Sequence, residues 1–437
     1  MSRDPREIAY DVLTAVERDG AFANLILPKE TYPLNKRDAA FATELVYGTL
    51  RLQGRYDAMI DECATNSERL QPEVRNALRL GAHQIQAMRV PARAAVYETV
   101  DLVAQVVGRA PTGLANAVLR KIAGEHEWQE RILDRPDGYY EWYSHPEWIV
   151  RGFRQALALE GATDEIEQLL DTDNEAADLT LVARPGVAER PADAAHTPRS
   201  PYGYYWRGNP GKLAEVRDGR VAAQDEGSQL VALMAADVPI EGRDTDWLDL
   251  CAGPGGKAAL MAAVAAQRGA FLTANEVQPH RAELVERSVR QFEESVEVIC
   301  DDGRMVGEAA PGAFDRILVD APCTGTGSLR RRPEARWRRS ADDLASLTKL
   351  QAELIDSAIA ALRPGGVLTY ATCSPHPAET VTQVTDALRR HSLTVIEPPE
   401  PLTPIGGEMH PLPGAVQLWP HRDNTDAMFA VCLRRDA

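Results

Sequence analysis

Two cysteines occupy matching points in two stretches, Cys323 in "ILVDAPCTGTG" and Cys373 in "GGVLTYATCSPHP". Each closes an apolar run that reads as a buried strand, and each precedes an irregular Gly/Pro turn. A thiolate is a strong nucleophile, and one at a strand end can face a cleft. Packing is the commoner use of a buried cysteine, and that reading serves Cys63, Cys300, Cys432 and also Cys251. For Cys323 and Cys373 the twin placement favours chemistry.

"WLDLCAGPGGKAALM" reads as strand, glycine turn and helix. It is neither a dinucleotide GxGxxG nor a phosphate-binding GxxxxGK[ST]. A turn built from Cys251, Ala252, Gly253, Pro254, Gly255, Gly256 and Lys257 lets backbone approach a ligand, with helix N–H groups beyond it for a carboxylate or phosphate. Glu276 ends the next strand, where an acid can bind both hydroxyls of a ribose. Asp302, in "CDDGR", ends the third, where it can meet an adenine amino group. Each piece alone is weak, but their order on successive strands implies a ligand with a carboxylate, a ribose and a base: S-adenosylmethionine. The thiols then acquire a use. Pyrimidine C5 attacks a methyl donor poorly until a thiolate adds to C6, after which the C5 proton and the thiolate must leave. An acid near N3 favours the addition, and Asp320, in "DAPC", is placed for it. A second thiol can help the elimination. Spacing leaves the two thiols nearly equivalent.

With "DLCAGPGGK", "DAPCTGTG" and "YATCS" in that order, the sequence resembles the Nop/Sun family of RNA cytosine-C5 methyltransferases from about residue 140 to the C-terminus. "SHPEWIVRGF" and "QDEGSQLVALM" look like the family's upstream elements. The resemblance implies that Cys373 is the nucleophile and Cys323 promotes product release. It implies cofactor contacts from Cys251 to Lys257 and from Glu276, Asp302 and Asp320, with Lys257 also orienting the base. Gly253 stands where the family usually has alanine, with little expected effect, and Glu276 where aspartate is common. "RDPREIAYDVLTAVERDGAFANLIL", "LNKRDAAFATELVYGTLRLQGRYD" and "GLANAVLRKI" resemble a NusB-like RNA-binding helical domain. That fusion implies free 16S rRNA as substrate, in ribosome biogenesis. A DNA cytosine methyltransferase would use the cysteine after proline, Cys323, but "YATCS" and the helical front count against it. An assembly factor with an inactive fold would lack a cysteine, Asp320 or the glycine turn, and all are present. A tRNA or large-subunit rRNA substrate is disfavoured by the helical front.

The elements that must position these groups are legible. After about residue 245, "WLDL", "AFLTANE", "VEVICDD", "FDRILVDAP" and "GGVLTYATCS" alternate with helical stretches such as "KAALMAAVAAQR". That pattern predicts a parallel, doubly wound α/β sheet with ligands at the carboxyl ends of its strands. The expected order is a NusB-like all-α bundle over 1–135, a small α+β subdomain over 136–240 and a Rossmann-like methyltransferase domain over 241–437. In the bundle, Val96, Val100, Val103 and Val107 recur at helical spacing, and Phe41, Leu45 and Leu50 lie in a second helical run. From Pro185 to Lys212 the composition predicts a loop, with "YGYYWRGNP" packed, and "IEPPEPLTPIGGEMHPLPG" predicts another.

RNA contact is expected at "SLRRRPEARWRRS", where Arg330, Arg331, Arg332, Arg336, Arg338 and Arg339 surround Trp337. His376 is expected to be solvated rather than a base. Lys+Arg total 48 against Asp+Glu 65 over 437 residues, a net charge of −17, which opposes adhesion of the whole chain to nucleic acid or anionic membrane. No apolar run approaches a membrane span, and "MSRDPREIAYDVL" lacks the apolar core of a signal peptide. Six cysteines without a CxxC pair predict neither disulfides nor a metal site. The expectation is a cytosolic monomer with reduced thiols.

Overall fold

The computed structural model describes residues 3–402 and 412–437. The middle of the second loop expected above lies outside them. The chain divides into two compact units. One comprises Met1–Arg151, Leu170–Ala176 and Leu329–Arg338; the other comprises Gly152–Leu169, Ala177–Ser328 and Arg339–Ala437.

The first unit is helical: α1 (Pro5–Arg18), α2 (Ala23–Thr31), α3 (Lys36–Arg51), α4 (Gln53–Cys63), α5 (Pro72–Gln86), α6 (Ala92–Val106), α7 (Thr112–Gly124), α8 (Trp128–Leu133) and α9 (Gly138–Trp142). Asp4 caps α1 by accepting from the Arg6 N–H, with Pro5 at the first position, and Asn35 caps α3. The apolar stripes meet in one core around Ile8, Leu45, Tyr56, Leu78 and Leu119. Val96 and Val103 of α6 point into that core, while Val100 and Val107 lie at its margin.

After α10 (Glu147–Leu159) and α11 (Ile166–Asp173), a small antiparallel sheet joins β1 (Thr180–Ala183), β2 (Gly203–Tyr205) and β3 (Val221–Ala223) in the order β2-β1-β3. Strand β2 falls inside the stretch expected to be loop. Its aromatic residues suit a pleated, half-buried surface, and Tyr204 is buried in a small core with Leu181 and Val221.

The large sheet follows: α12 (Ala214–Arg217), α13 (Glu226–Asp237), β4 (Asp246–Asp249), α14 (Gly256–Arg268), β5 (Phe271–Asn275), α15 (Pro279–Val289), β6 (Val296–Ile299), α16 (Val306–Ala309), β7 (Phe314–Asp320), α17 (Ala335–Arg338), α18 (Ala341–Ala361), β8 (Leu362–Thr372), α19 (Val381–Arg390), β9 (Leu393–Ile396), β10 (Val416–Gln417), α20 (Pro420–Asp423) and β11 (Phe429–Arg435). Among the described residues the sheet order is β10-β11-β8-β7-β4-β5-β6, with β9 on β11. Strands β4 to β8 pair in parallel and β11 is antiparallel to β8. The expected Rossmann-like α/β sheet is therefore present, and its order reverses direction at β4. The register sets the site. Asp249 pairs with Ala274 and Leu318, and Asp320 pairs with Ala371. Hence the glycine turn, Glu276, Asp320 and both cysteines all leave the sheet at its carboxyl edge. No helix among the described residues is long and apolar enough to cross a membrane.

Candidate active site

The two sulfurs meet: Cys323 Sγ lies 3.4 Å from Cys373 Sγ. Parallel pairing of β7 with β8 brings the chain ends level, and Ala321 N–H donates to Ala371 O at 2.8 Å just before the cysteines. Beyond them, Gly327 N–H donates to Cys373 O at 2.9 Å. A Cβ at Gly327 would stand 2.1 Å from Ala427 O, so only glycine lets these loops close.

The Cys323 thiol is pushed well above its usual range by its contact with the Cys373 sulfur, then by burial, and by the charges of Cys373, Glu379 and Asp320. Lys257 Nζ donates to Asp320 Oδ2 at 2.8 Å. Burial works against the lysine charge, but Asp320 outweighs it and holds the ammonium above its usual range, with Cys373 adding to the effect. Lys257 and Asp320, both expected at the base, are thus joined in one ion pair.

At the glycine turn, Glu276 is buried, with one oxygen accepting from Gln278 N–H at 3.0 Å and the other from Gly253 N–H at 3.1 Å. Arg281 Nη2 donates to Gly253 O at 2.6 Å. Gly253 stands close against two side-chain ends. A Cβ there would stand 2.0 Å from Glu276 Oε2 and 2.9 Å from Arg281 Nε. The long acid fills the room that a methyl group would need. Asp302 caps a short turn and pairs with Arg304, at 2.6 Å between Oδ2 and Nη2. The residues fit S-adenosylmethionine: a buried acid at the β5 end, a turn open enough for backbone approach, and the N-terminus of α14 opposite a carboxylate.

Four residues of the site lie outside those expected from sequence. Asp249, buried at the end of β4, has its carboxyl pushed up to about 8 by burial and then by Asp320. Arg281 brackets the turn. Glu379 and Gln351 lie behind the cysteines, where Gln351 Nε2 donates to Pro322 O at 2.9 Å and to Glu379 Oε1 at 3.1 Å. The only sequence signal for this network is the short hydroxyl residue after each cysteine, Thr324 and Ser374. His376 is half-buried: its Nδ1 accepts from Ala378 N–H at 3.1 Å, and burial lowers its pKa. Cys63 and Cys432 are buried as expected, but Cys300 is exposed. Among the described residues no cluster could hold a metal ion.

Of the arginine-rich segment, Leu329–Arg338 belongs to the helical unit and Arg339 to the other, and the arginines divide. Arg336 is fully buried and donates to the carbonyls of Arg51 at 2.6 Å, Ser144 at 3.1 Å and Asp173 at 2.7 Å, and to Asn174 Oδ1 at 2.7 Å. Arg51 and Asp173 end α3 and α11, so the guanidinium sits on two helix C-termini, where the dipole favours a cation. Arg338 does the same for α1, donating to Val16 O at 3.0 Å. Arg330 is buried, and its carbonyl accepts from Arg51. Burial withdraws Arg330 and Arg336 from the expected phosphate contacts. Arg332 and Trp337 are exposed, Arg331 is half-buried, and Arg339 pairs with Asp343.

A doubly wound sheet with a glycine turn after β4 and an acid after β5 is the architecture of the S-adenosylmethionine-dependent methyltransferases. Comparison with known proteins is specific within that class. A family model described as "16S rRNA methyltransferase RsmB/F" matches residues 238–434, and the NusB family model matches residues 3–124. The "Putative methyltransferase Rv1407" of Mycobacterium tuberculosis is 47% identical, covering 99% of this chain and 97% of its own. The "Ribosomal RNA small subunit methyltransferase B" of Serratia proteamaculans is 30% identical, with 97% of each chain covered. Among solved structures, PH0851 shares the fold over 100% of both chains, with a TM-score of 0.82 at 21% identity. NSun6 from Pyrococcus horikoshii with SFG shares it over 67% of this chain and 98% of that one, with a TM-score of 0.58 at 16% identity. The chain belongs to the RsmB/F family of rRNA methyltransferases, and its cofactor is S-adenosylmethionine.

Proposed function

We propose that the chain methylates C5 of a cytosine in 16S rRNA through a covalent bond between Cys373 Sγ and C6 of the base. It acts as a monomer in the cytoplasm, on rRNA not yet assembled into the small subunit. The names of the family model and of relatives such as the Serratia protein support the substrate.

The observation that carries the mechanism is the meeting of two sulfurs 3.4 Å apart, with the Lys257–Asp320 pair beside Cys373. The sulfurs lie within hydrogen-bond distance, contact with Cys373 and burial push the Cys323 thiol up, and the charge of Cys373 acts on the Lys257 ammonium. This supports Cys373 as the attacking thiolate. S-adenosylmethionine supplies the methyl group. Cys373 adds to C6, and the Lys257–Asp320 pair holds the charge that addition places on the N3 side of the ring. When C5 loses its proton to water, the C5–H electron pair forms the C5–C6 double bond, and the pair of the C6–S bond returns to Cys373. Cys323 serves this elimination. The base must leave any helix to reach the thiols, so an unpaired or flipped cytosine is the substrate.

Covalent trapping tests the reading. With S-adenosylmethionine and free 16S rRNA, Cys323→Ala should accumulate a denaturant-stable protein–RNA adduct and Cys373→Ala should form none. Accumulation in Cys373→Ala alone would exchange the roles. Neither adduct nor methylation from wild type would sink the proposal.

A further inference from the structure

Glu379 belongs to none of the groups that touch substrate or cofactor in the mechanism above, yet its side chain is fully buried against both cysteine loops. Oε1 accepts from Thr324 N–H at 2.8 Å and from Gln351 Nε2 at 3.1 Å, and Oε2 accepts from Thr324 Oγ1 at 2.5 Å. Three donors converge on one acceptor-only carboxylate. Thr324 has a single hydroxyl proton. Given to Glu379, it leaves Thr324 Oγ1 to accept from Ser374 Oγ, 3.1 Å away, which lies 3.0 Å from Thr326 Oγ1. Thr324 follows Cys323 and Ser374 follows Cys373. Gln351 also holds Pro322 O, the carbonyl before Cys323. Tyr370 Oη donates to Glu379 O at 2.7 Å, fixing the residue from the β8 side. One carboxylate thus governs the backbone on both sides of Cys323 and the residue after Cys373.

We propose that Glu379 is a positioning residue for the two-thiol step: its buried carboxylate locks the loops so that the sulfurs meet. The amide, hydroxyl and carboxamide groups that donate to the carboxylate are uncharged, so they leave its field largely uncancelled. A negative charge behind Cys323 disfavours a second thiolate beside Cys373. This rests on the covalent reading of the active site.

The test compares wild type, Glu379→Gln and Glu379→Asp in the full chain. Two quantities are read: the single-turnover rate of adduct formation, and the pH profile of iodoacetamide alkylation at Cys323 and Cys373, resolved by peptide mass spectrometry without RNA. Glu379→Gln should keep S-adenosylmethionine and RNA affinity and slow the adduct on the order of 10²-fold, as a misplacement of about 1 Å does. Its Cys323 alkylation midpoint should move down by about one pH unit, because a negative neighbour has gone. Glu379→Asp should recover part of both. Wild-type rate and profile in Glu379→Gln would overturn the proposal. So would parallel loss of cofactor affinity and rate without recovery by aspartate, which marks a merely structural residue. If wild type forms neither adduct nor methylated RNA, the covalent reading fails, while the alkylation profile still decides the role of Glu379.

Discussion

Gly253 and Glu276 illustrate how two residues that look independent in a sequence share one volume. Glycine is not needed at 253 for its backbone freedom. Its bearing is on Glu276, whose Oε2 lies 2.0 Å from where a Cβ would stand. The buried acid would have to swing away from Gly253 N–H to admit a methyl group. Gly253→Ala should therefore weaken S-adenosylmethionine binding about 10- to 100-fold, the overpacking cost of roughly 1–3 kcal/mol, with little loss in thermal stability. The shorter acid makes room, so Gly253→Ala with Glu276→Asp should bind better than Gly253→Ala alone. Calorimetric titration of the two single variants and the double checks this, and additive losses would refute the coupling. The cysteines, Asp320 and the glycine turn are legible because strand ends and local motifs announce them. Glu379, 55 residues from its partner Thr324, is not, because a buried carboxylate is assigned by what surrounds it in space.

At the scale of elements, the alternation of apolar runs and helices reveals every strand from β4 to β8, since a buried parallel strand has no polar side to disguise it. The segment holding α17 misleads for the opposite reason. A charge run resembles a phosphate contact whether its partner is RNA or the carbonyl end of a helix, and Arg336 and Arg338 take carbonyls more than a hundred residues away in sequence. Exposed Arg332 remains available to a phosphate. Arg332→Ala should lower the slope of log affinity against log salt by about 0.7–0.9, one phosphate's share, as read by RNA titration at several salt concentrations. Arg336→Met should leave that slope unchanged and cost roughly 3–5 kcal/mol of stability, because it strips buried carbonyls of their donor.

At the scale of the molecule, the segment Leu329–Arg338 completes a helical unit whose other residues all precede Ala177. It brings an acid as well as bases. Glu334 Oε1 accepts from Ala23 N–H at 3.2 Å, at the first turn of α2, which has no side-chain cap of its own. Glu334→Ala should cost about 1 kcal/mol and raise hydrogen exchange in α2, while β4 to β8 keep their protection. Equal exchange changes in both units would contradict this.

Translation delivers that completing segment late. About 160 residues separate Ala176 from Arg338, which at roughly 5–20 residues per second is a delay of roughly 10–30 s. For that time the growing chain carries helices whose termini at Ala23, Arg51 and Asp173 must be served by water. The helical unit thus begins before the large sheet in synthesis and yet finishes only after β7 and Cys323 have been made.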